Sequence, residues 1–146
     1  MIEIKPAQFE HIDAFVTMEQ ADNTSTYIIP YSKEMHFAEM HKEDIVYLSV
    51  FDQGVLAGFM ILACESNHSV EFRRIVIASK GNGVGQKAIY LMEAYCVKQL
   101  CCQRIWLDVF ESNLRGIHIY KKLGYQPFDD SSHMGKKLIL MEKELY

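Results

Sequence analysis

The sequence predicts an α/β protein of the α+β type, with a mixed central sheet of six or seven strands and four helices on its faces. Three observations predict it. Apolar runs rich in β-branched residues follow one another between residues 45 and 78, the first two joined by a tight turn at Asp52-Gln53-Gly54. Two later runs with helical spacing each lie between extended runs, the signature of strand–helix–strand units. The resulting order, β-α-α-β-β-β-α-β-α-β, places hairpin strands before a crossover and so makes the sheet mixed. A chain of 146 residues suits one domain, 1–146, with a sizeable core.

The elements follow in order. Residues 2–5, IEIK, read as a short edge strand stopped at Pro6. Phe9, Ile12, Phe15, Val16 and Ala21 recur at helical spacing, predicting a first helix. NTSTYIIPYS is a loop into a second helix, with Ser32 as its N-cap and Glu34 in its first turn. Residues 45–52, 54–65 and 69–78 are strands. The next run carries Val84, Ala88, Leu91, Met92 and Tyr95 on one stripe, a helix. Residues 104–110 form a strand. SNLRGIHIYKKLGY is a short helix with Ser112 as N-cap, Ile117, Tyr120 and Leu123 inward, and Gly124 as its stop. A short strand fits 125–128, and KKLILMEKEL closes the chain as a strand.

Composition narrows the class. Hydrophobic residues make up 49% and charged residues 23% of the chain, ordinary for a globular protein. The net charge of −4 argues against a nucleic-acid partner, which selects a basic excess. No apolar run approaches the roughly 18–20 residues of a membrane span, and the polar N-terminus lacks the apolar core of a signal peptide, so a cytoplasmic protein without a membrane partner is expected. Cys64, Cys96, Cys101 and Cys102 fit neither a zinc pattern nor a disulfide framework and read as free thiols. His11, His41, His68, His118 and His133 show no metal spacing, and no metal is expected.

The chemistry concentrates in ASKGNGVGQKA, where Gly81, Gly83 and Gly85 separate a strand from a helix. The first N–H groups of a helix lack intrahelical partners and sit at the positive end of its dipole. Glycines let such a backbone approach phosphate oxygens closely. The stretch therefore reads as a main-chain anion cradle with Lys80 on its rim; taken alone, it fits equally a tight connection that binds nothing. It is not a P-loop, which ends in Gly-Lys-Ser/Thr, since Gln86-Lys87 follow Gly85. Nor is it a dinucleotide fingerprint, which belongs to an early βαβ unit.

A second motif lies one helix later. RRIVIASKGNGVGQKAI, LDVFESNLRGIHIYKKLGY and the closing LILMEKEL together resemble the GNAT family of N-acetyltransferases, over most of the chain and in the same element order. The glycine motif of that family corresponds to Lys80-Gly81-Asn82-Gly83-Val84-Gly85, and its later motif to Asn113, Arg115, Gly116, Tyr120, Gly124 and Tyr125. Two departures stand out. Lys80 replaces Arg or Gln, so a forked contact becomes a point charge. Gly116 replaces Ala within a helix, at a cost of about 0.5–1 kcal/mol.

The resemblance implies the GNAT acyl-CoA N-acyltransferase fold, with acetyl-coenzyme A as cosubstrate in a V-shaped gap between strands 69–78 and 104–110. Its pyrophosphate would rest on Lys80, Gly81, Asn82, Gly83, Val84, Gly85 and Gln86, and its pantetheine arm would pair with the main chain of Ile75, Val76 and Ile77. Asn113 and Arg115 would add contacts; Asn113 equally suits a bond to its own helix backbone. Tyr120 is implied as the acid that protonates the leaving thiolate, and Glu71 as the base for the amine, a role weighed against a surface ion pair with a nearby arginine. Strand alternation is expected to put Glu71, Arg73, Ile75 and Ile77 on one face. Tyr27, Tyr31 and His36 are candidates to line the acceptor slot, a role weighed for each against an aromatic that pins the loop to the core. The implied function is N-acetylation of a primary amine of a small molecule or peptide, and homodimers are common in the family. Alternatives are another acyl-coenzyme A donor or nucleophile, or a coenzyme-A-binding module without catalysis.

Overall fold

In the computed structural model, which describes residues 1–21, 27–78 and 82–145, seven strands form one sheet. They are β1 (Ile2–Pro6), β2 (Ile45–Asp52), β3 (Val55–Cys64), β4 (Ser69–Ile77), β5 (Arg104–Phe110), β6 (Gln126–His133) and β7 (Lys136–Glu144), in the spatial order β1-β2-β3-β4-β5-β7-β6. Only β4 and β5 are parallel neighbours; every other pair is antiparallel. The helices among the described residues are α1 (Ile12–Glu19), α2 (Lys33–Met40), α3 (Val84–Leu100) and α4 (Leu114–Lys122), with a 3-10 turn over Phe9–His11 before α1.

The expected strands and helices are present, with three corrections. Phe9 belongs to the 3-10 turn rather than to α1. The short strand expected at 125–128 is the eight-residue β6, hairpinned to β7 and exposed along its whole length; having no buried face, it left no apolar alternation to read. The cap of α4 is Asn113, whose side chain accepts from the Gly116 N–H at 3.0 Å, rather than Ser112. Ser32 caps α2 as expected, accepting from the Met35 N–H at 3.1 Å.

The sheet divides the core. On one face α3 and α4 pack through Ala88, Met92, Ile117 and Leu123 against Leu48, Met60, Leu62, Phe72, Ile105 and Leu107. On the other, Phe15 of α1 packs with Tyr47, Phe59, Ile61 and Val76. Phe15 and Phe59 stack at 4.3 Å, a contact worth about 0.5–1.5 kcal/mol beyond its burial. The end of α4 is pinned to α3 through a carboxylate: Glu93 accepts from the buried Tyr125 hydroxyl at 2.8 Å and from Lys143 Nζ at 3.0 Å, while Lys143 also donates to Leu123 O at 2.8 Å. This clamp fixes the helix turn that carries Tyr120. All four cysteines are free thiols; burial pushes the Cys96 thiol well above its ordinary value, which leaves it unreactive at neutral pH.

β4 carries a bulge. Arg74 pairs with Ile61 and Phe72 with Leu62, so Arg73 has no opposite number on β3. The extra residue reverses the alternation. Val70 and Phe72 face the α3 side, and Ile75 and Ile77 face it too, while Val76 packs on the α1 side. Glu71 and Ile75 therefore do not share a face, contrary to the simple two-residue period expected from the sequence.

Candidate active site

β4 and β5 pair over only three positions, Ser69↔Arg104, Val70↔Ile105 and Glu71↔Trp106. Beyond Glu71 they part, and a cleft of about 900 Å³ opens between them. Ile75 and Ile77 of β4 form one wall, and Asp108, Val109 and Phe110 of β5 the other. Gly83, Val84, Gly85 and Gln86 close one end at the head of α3; α4 contributes Asn113, Arg115, Gly116 and Tyr120; Tyr27, Ile28 and Ile29 cover the α1 side. Past Glu71, the main-chain groups on the β5 side of β4 have no ladder partner within the sheet. An extended ligand rich in amides can supply one.

Gly83 is the N-cap of α3, with φ +73°. The left-handed conformation is what demands glycine there; a Cβ would meet nothing within 4 Å, so the space before the turn is open. Lys87 N–H is bonded to Gly83 O at 3.2 Å, which leaves the N–H groups of the preceding turn to the cleft. The 17-residue α3 directs its positive end at the same place. This donor set fits a pyrophosphate. Lys80 and Gly81, expected to contribute, lie outside the described residues. Asn82 is exposed and is absent from the cleft lining.

Tyr120 projects into the cleft from α4, edge-on to Phe72 (6.4 Å between centroids) and to Tyr125 (5.9 Å). Burial, and then the charge of Asp108, pushes its hydroxyl up to about 12, so it holds its proton throughout the neutral range. Asp108 is the carboxylate of this cleft. Its side chain is exposed at the cleft mouth, and partial loss of hydration there, then the charge of Glu71, raise its pKa above the ordinary value, against an opposing pull from His133 and Arg73. Sequence reasoning passed over Asp108 and gave His133 no role, although both line the cleft. The signal was available: Ile105, Leu107 and Val109 alternate into the core, which sends Asp108 to the opposite face.

The other expected residues divide. Glu71 is held by Arg73, whose Nη2 and Nε lie 2.9 and 3.2 Å from the same carboxylate oxygen, and it does not line the cleft. Val76 is 2% exposed, its side chain in the core. Asn113 lines the cleft but its oxygen is engaged in the helix cap. Tyr27 lines the cleft and its hydroxyl reaches across to Ser112 O at 3.4 Å. Tyr31 stands behind that wall, its ring under the Arg74 guanidinium at 4.0 Å. His36, expected in the acceptor slot, is fully buried instead, between Glu19 and Tyr47. Among the described residues no group of three or more His, Cys, Asp or Glu side chains is placed to hold a metal ion, and no helix is long and apolar enough to cross a membrane.

Residues 12–125 match the family model described as acetyltransferase (GNAT) family. The chain belongs to this family. Membership of the GNAT acetyltransferases makes it an acetyl-coenzyme-A-dependent N-acetyltransferase, as the motifs led us to expect. The spermine/spermidine N(1)-acetyltransferase of Bacillus subtilis (strain 168) is 23% identical over 156 aligned positions, covering 97% of this chain and 98% of the relative. Among solved structures, spermidine N-acetyltransferase from Vibrio cholerae in complex with CoA and spermine superposes with a TM-score of 0.85 at 19% identity, over 98% of this chain and 95% of that one. The ribosomal-protein-S18-alanine N-acetyltransferase from Escherichia coli gives a TM-score of 0.83 at 18% identity, over 99% and 94%. These likenesses show that the chain has the GNAT fold.

Proposed function

We propose that this GNAT protein acetylates a primary amine of a small cationic molecule, of the polyamine class, by direct attack of the amine on acetyl-coenzyme A. The observation that carries the reading is the convergence, in one cleft, of the open head of α3, the unpaired edge of β4, the Tyr120 hydroxyl and the Asp108 carboxylate. Gly83, Val84, Gly85 and Gln86 hold the pyrophosphate, Ile75, Val76 and Ile77 offer main chain to the pantetheine arm, and Arg115, which lines the same cleft, adds positive charge. Acetyl-coenzyme A supplies an activated acyl group as a thioester.

Asp108 takes the proton from the acceptor ammonium. It replaces Glu71 in that role because Arg73 already occupies Glu71. A raised pKa makes a carboxylate a stronger proton acceptor. As the new C–N bond forms and the C–S bond breaks, the nitrogen releases its second proton to solvent, and Tyr120 gives its proton to the departing sulfur and regains one from solvent or from Asp108. Holding both reactants in one cleft supplies much of the acceleration.

The acceptor class rests on Asp108, the one carboxylate among the described residues that line the cleft, where an ammonium can pair with it beside Arg73, Arg74 and Arg115, and on the relatives. The Bacillus subtilis relative named for spermine and spermidine supports the same class. The test is an acceptor screen reading released thiol, with spermidine, spermine, monoamines and short peptides side by side. Polyamines should turn over with the highest kcat/KM; a marked preference for peptide N-termini would overturn the acceptor class, and an absence of thiol release with every amine would overturn the reaction.

A further inference from the structure

On the α1 side of the cleft lies a buried charged cluster that the reaction does not use. Glu19, the last residue of α1, and His36 of α2 are both fully buried. One Glu19 oxygen accepts from His36 Nε2 at 2.6 Å and from the main-chain N–H of Tyr31 at 3.2 Å; the other accepts from the Arg74 guanidinium. His36 Nδ1 lies 2.7 Å from the Tyr47 hydroxyl. The Arg74 guanidinium covers the face of the Tyr31 ring at 4.0 Å. A single carboxylate thus ties α1, α2, β4 and the segment leading into α2.

Two features connect this cluster to the cleft. The bulge at Arg73 turns Arg74 toward the α1 side, away from the face that Ile75 presents. Tyr27, Ile28 and Ile29, the cleft wall, are joined to Tyr31 through Pro30 alone. The wall is held at one end by Glu19 and Arg74 and at the other by the Tyr27 contact to Ser112. Burying a carboxylate and a guanidinium together adds little net stability compared with apolar residues of the same volume, but it fixes geometry. A planar guanidinium does both jobs here, pairing with a carboxylate along its edge and stacking on a ring with its face.

We propose that Arg74 is a positioning residue for the acceptor: clamped by Glu19, it carries the Tyr31 ring and so sets the distance between the Tyr27–Ile28–Ile29 wall and the reactive edge of β4. The role rests on the acetyl-transfer reading above. It assigns the acceptor KM, rather than the donor KM, to a residue that lines the cleft and acts through the Tyr31 ring.

The test uses Arg74→Lys, which keeps a charge for Glu19 but loses the planar guanidinium stack, and Tyr31→Leu, which leaves the ion pair intact and so guards against simple misfolding. Each should raise the polyamine KM about fivefold or more, with the acetyl-coenzyme A KM changed less than about twofold. The double variant should be no worse than the poorer single one, because both remove the same stack. Hydrogen–deuterium exchange on the unliganded proteins gives a readout independent of activity: in both variants, amides of the segment ending at Tyr31 should exchange faster while those of β4 do not. Additive KM losses, equal shifts in donor and acceptor KM, or unchanged exchange in that segment would overturn the proposal. A wild-type protein that acetylates no amine would overturn the reaction instead, and the exchange result would still decide the clamp.

Discussion

The carboxamide of Asn113 fills the space that a Cβ on Gly116 would need. Its oxygen accepts the Gly116 N–H at 3.0 Å, and an added Cβ would lie 2.7 Å from its nitrogen. The GNAT pattern has alanine at this position, and glycine is what lets Asn113 fold back over its own helix. Gly116→Ala should therefore forgo its usual helix gain of about 1 kcal/mol, because it displaces a cap worth about 0.5–2 kcal/mol. In an Asn113→Ala background the same change should recover that gain in full. Denaturant melts of the four proteins check this; equal effects in both backgrounds would contradict the packing.

The turn before α3 can be probed at one residue. Gly83 combines a left-handed backbone with open space in front of it. Gly83→Ala should fold with a loss of about 1–2 kcal/mol from the backbone alone. Gly83→Glu adds a negative charge where the pyrophosphate belongs, and calorimetry should show coenzyme A affinity falling by about two orders of magnitude or more. Unchanged affinity would remove the turn as the phosphate cradle.

Tyr120 and Asp108 should separate by pH. Tyr120→Phe is expected to lower kcat by roughly a hundredfold, the ordinary scale of a lost general acid, with little effect on acetyl-coenzyme A affinity. Because the Tyr120 hydroxyl titrates at about 12, it should impose no alkaline limb on kcat in the working range. In the proposed reaction Asp108 acts as its carboxylate, so activity should fall as pH drops through its raised pKa, and Asp108→Asn should abolish that acid limb. The stability effect has the opposite sign. A carboxyl whose folded pKa is raised favours the folded state at low pH and loses that contribution as pH rises through the folded value. Asp108→Asn should accordingly melt higher than wild type at neutral pH, with the difference shrinking in acid.

Glu19 titrates in the other direction. Burial pushes its pKa up, but hydrogen bonds from His36 and Arg74 together outweigh burial and hold the carboxyl below its ordinary value of 4.5. Its contribution to stability is present above the unfolded carboxylate range and is lost as pH falls through the lowered folded value. Glu19→Gln should melt lower than wild type at neutral pH, and the gap should narrow in acid. A gap of constant size from neutral pH down to about pH 3 would detach Glu19 from the acid transition.

The legible parts of this fold were those with at least one buried face. The β2 and β5 boundaries follow from alternation that the core enforces at Leu48, Val50, Ile105 and Leu107. β6 is exposed on both faces, so its length left no apolar imprint. The Arg73 bulge was also hidden, because an inserted residue changes which side chains face together without changing composition. That one residue puts Glu71 and Ile75 on opposite faces and turns Arg74 to the α1 side. The glycine turn and Tyr120 stand out in the sequence because their spacing is a local property of the chain, and Gly83, Gly85 and Tyr120 line the cleft. Asp108 and the Glu19 cluster do not stand out, because their partners come from strands and helices distant in sequence.

The gap left where β4 and β5 part reaches both faces of the sheet, with the head of α3 on one and the Tyr27 wall on the other. A sheet that is pierced has two doorways. A bulky nucleotide thioester and a small amine can then arrive from opposite sides without queuing. The acetylated amine can leave by its own door while the spent carrier still occupies the other.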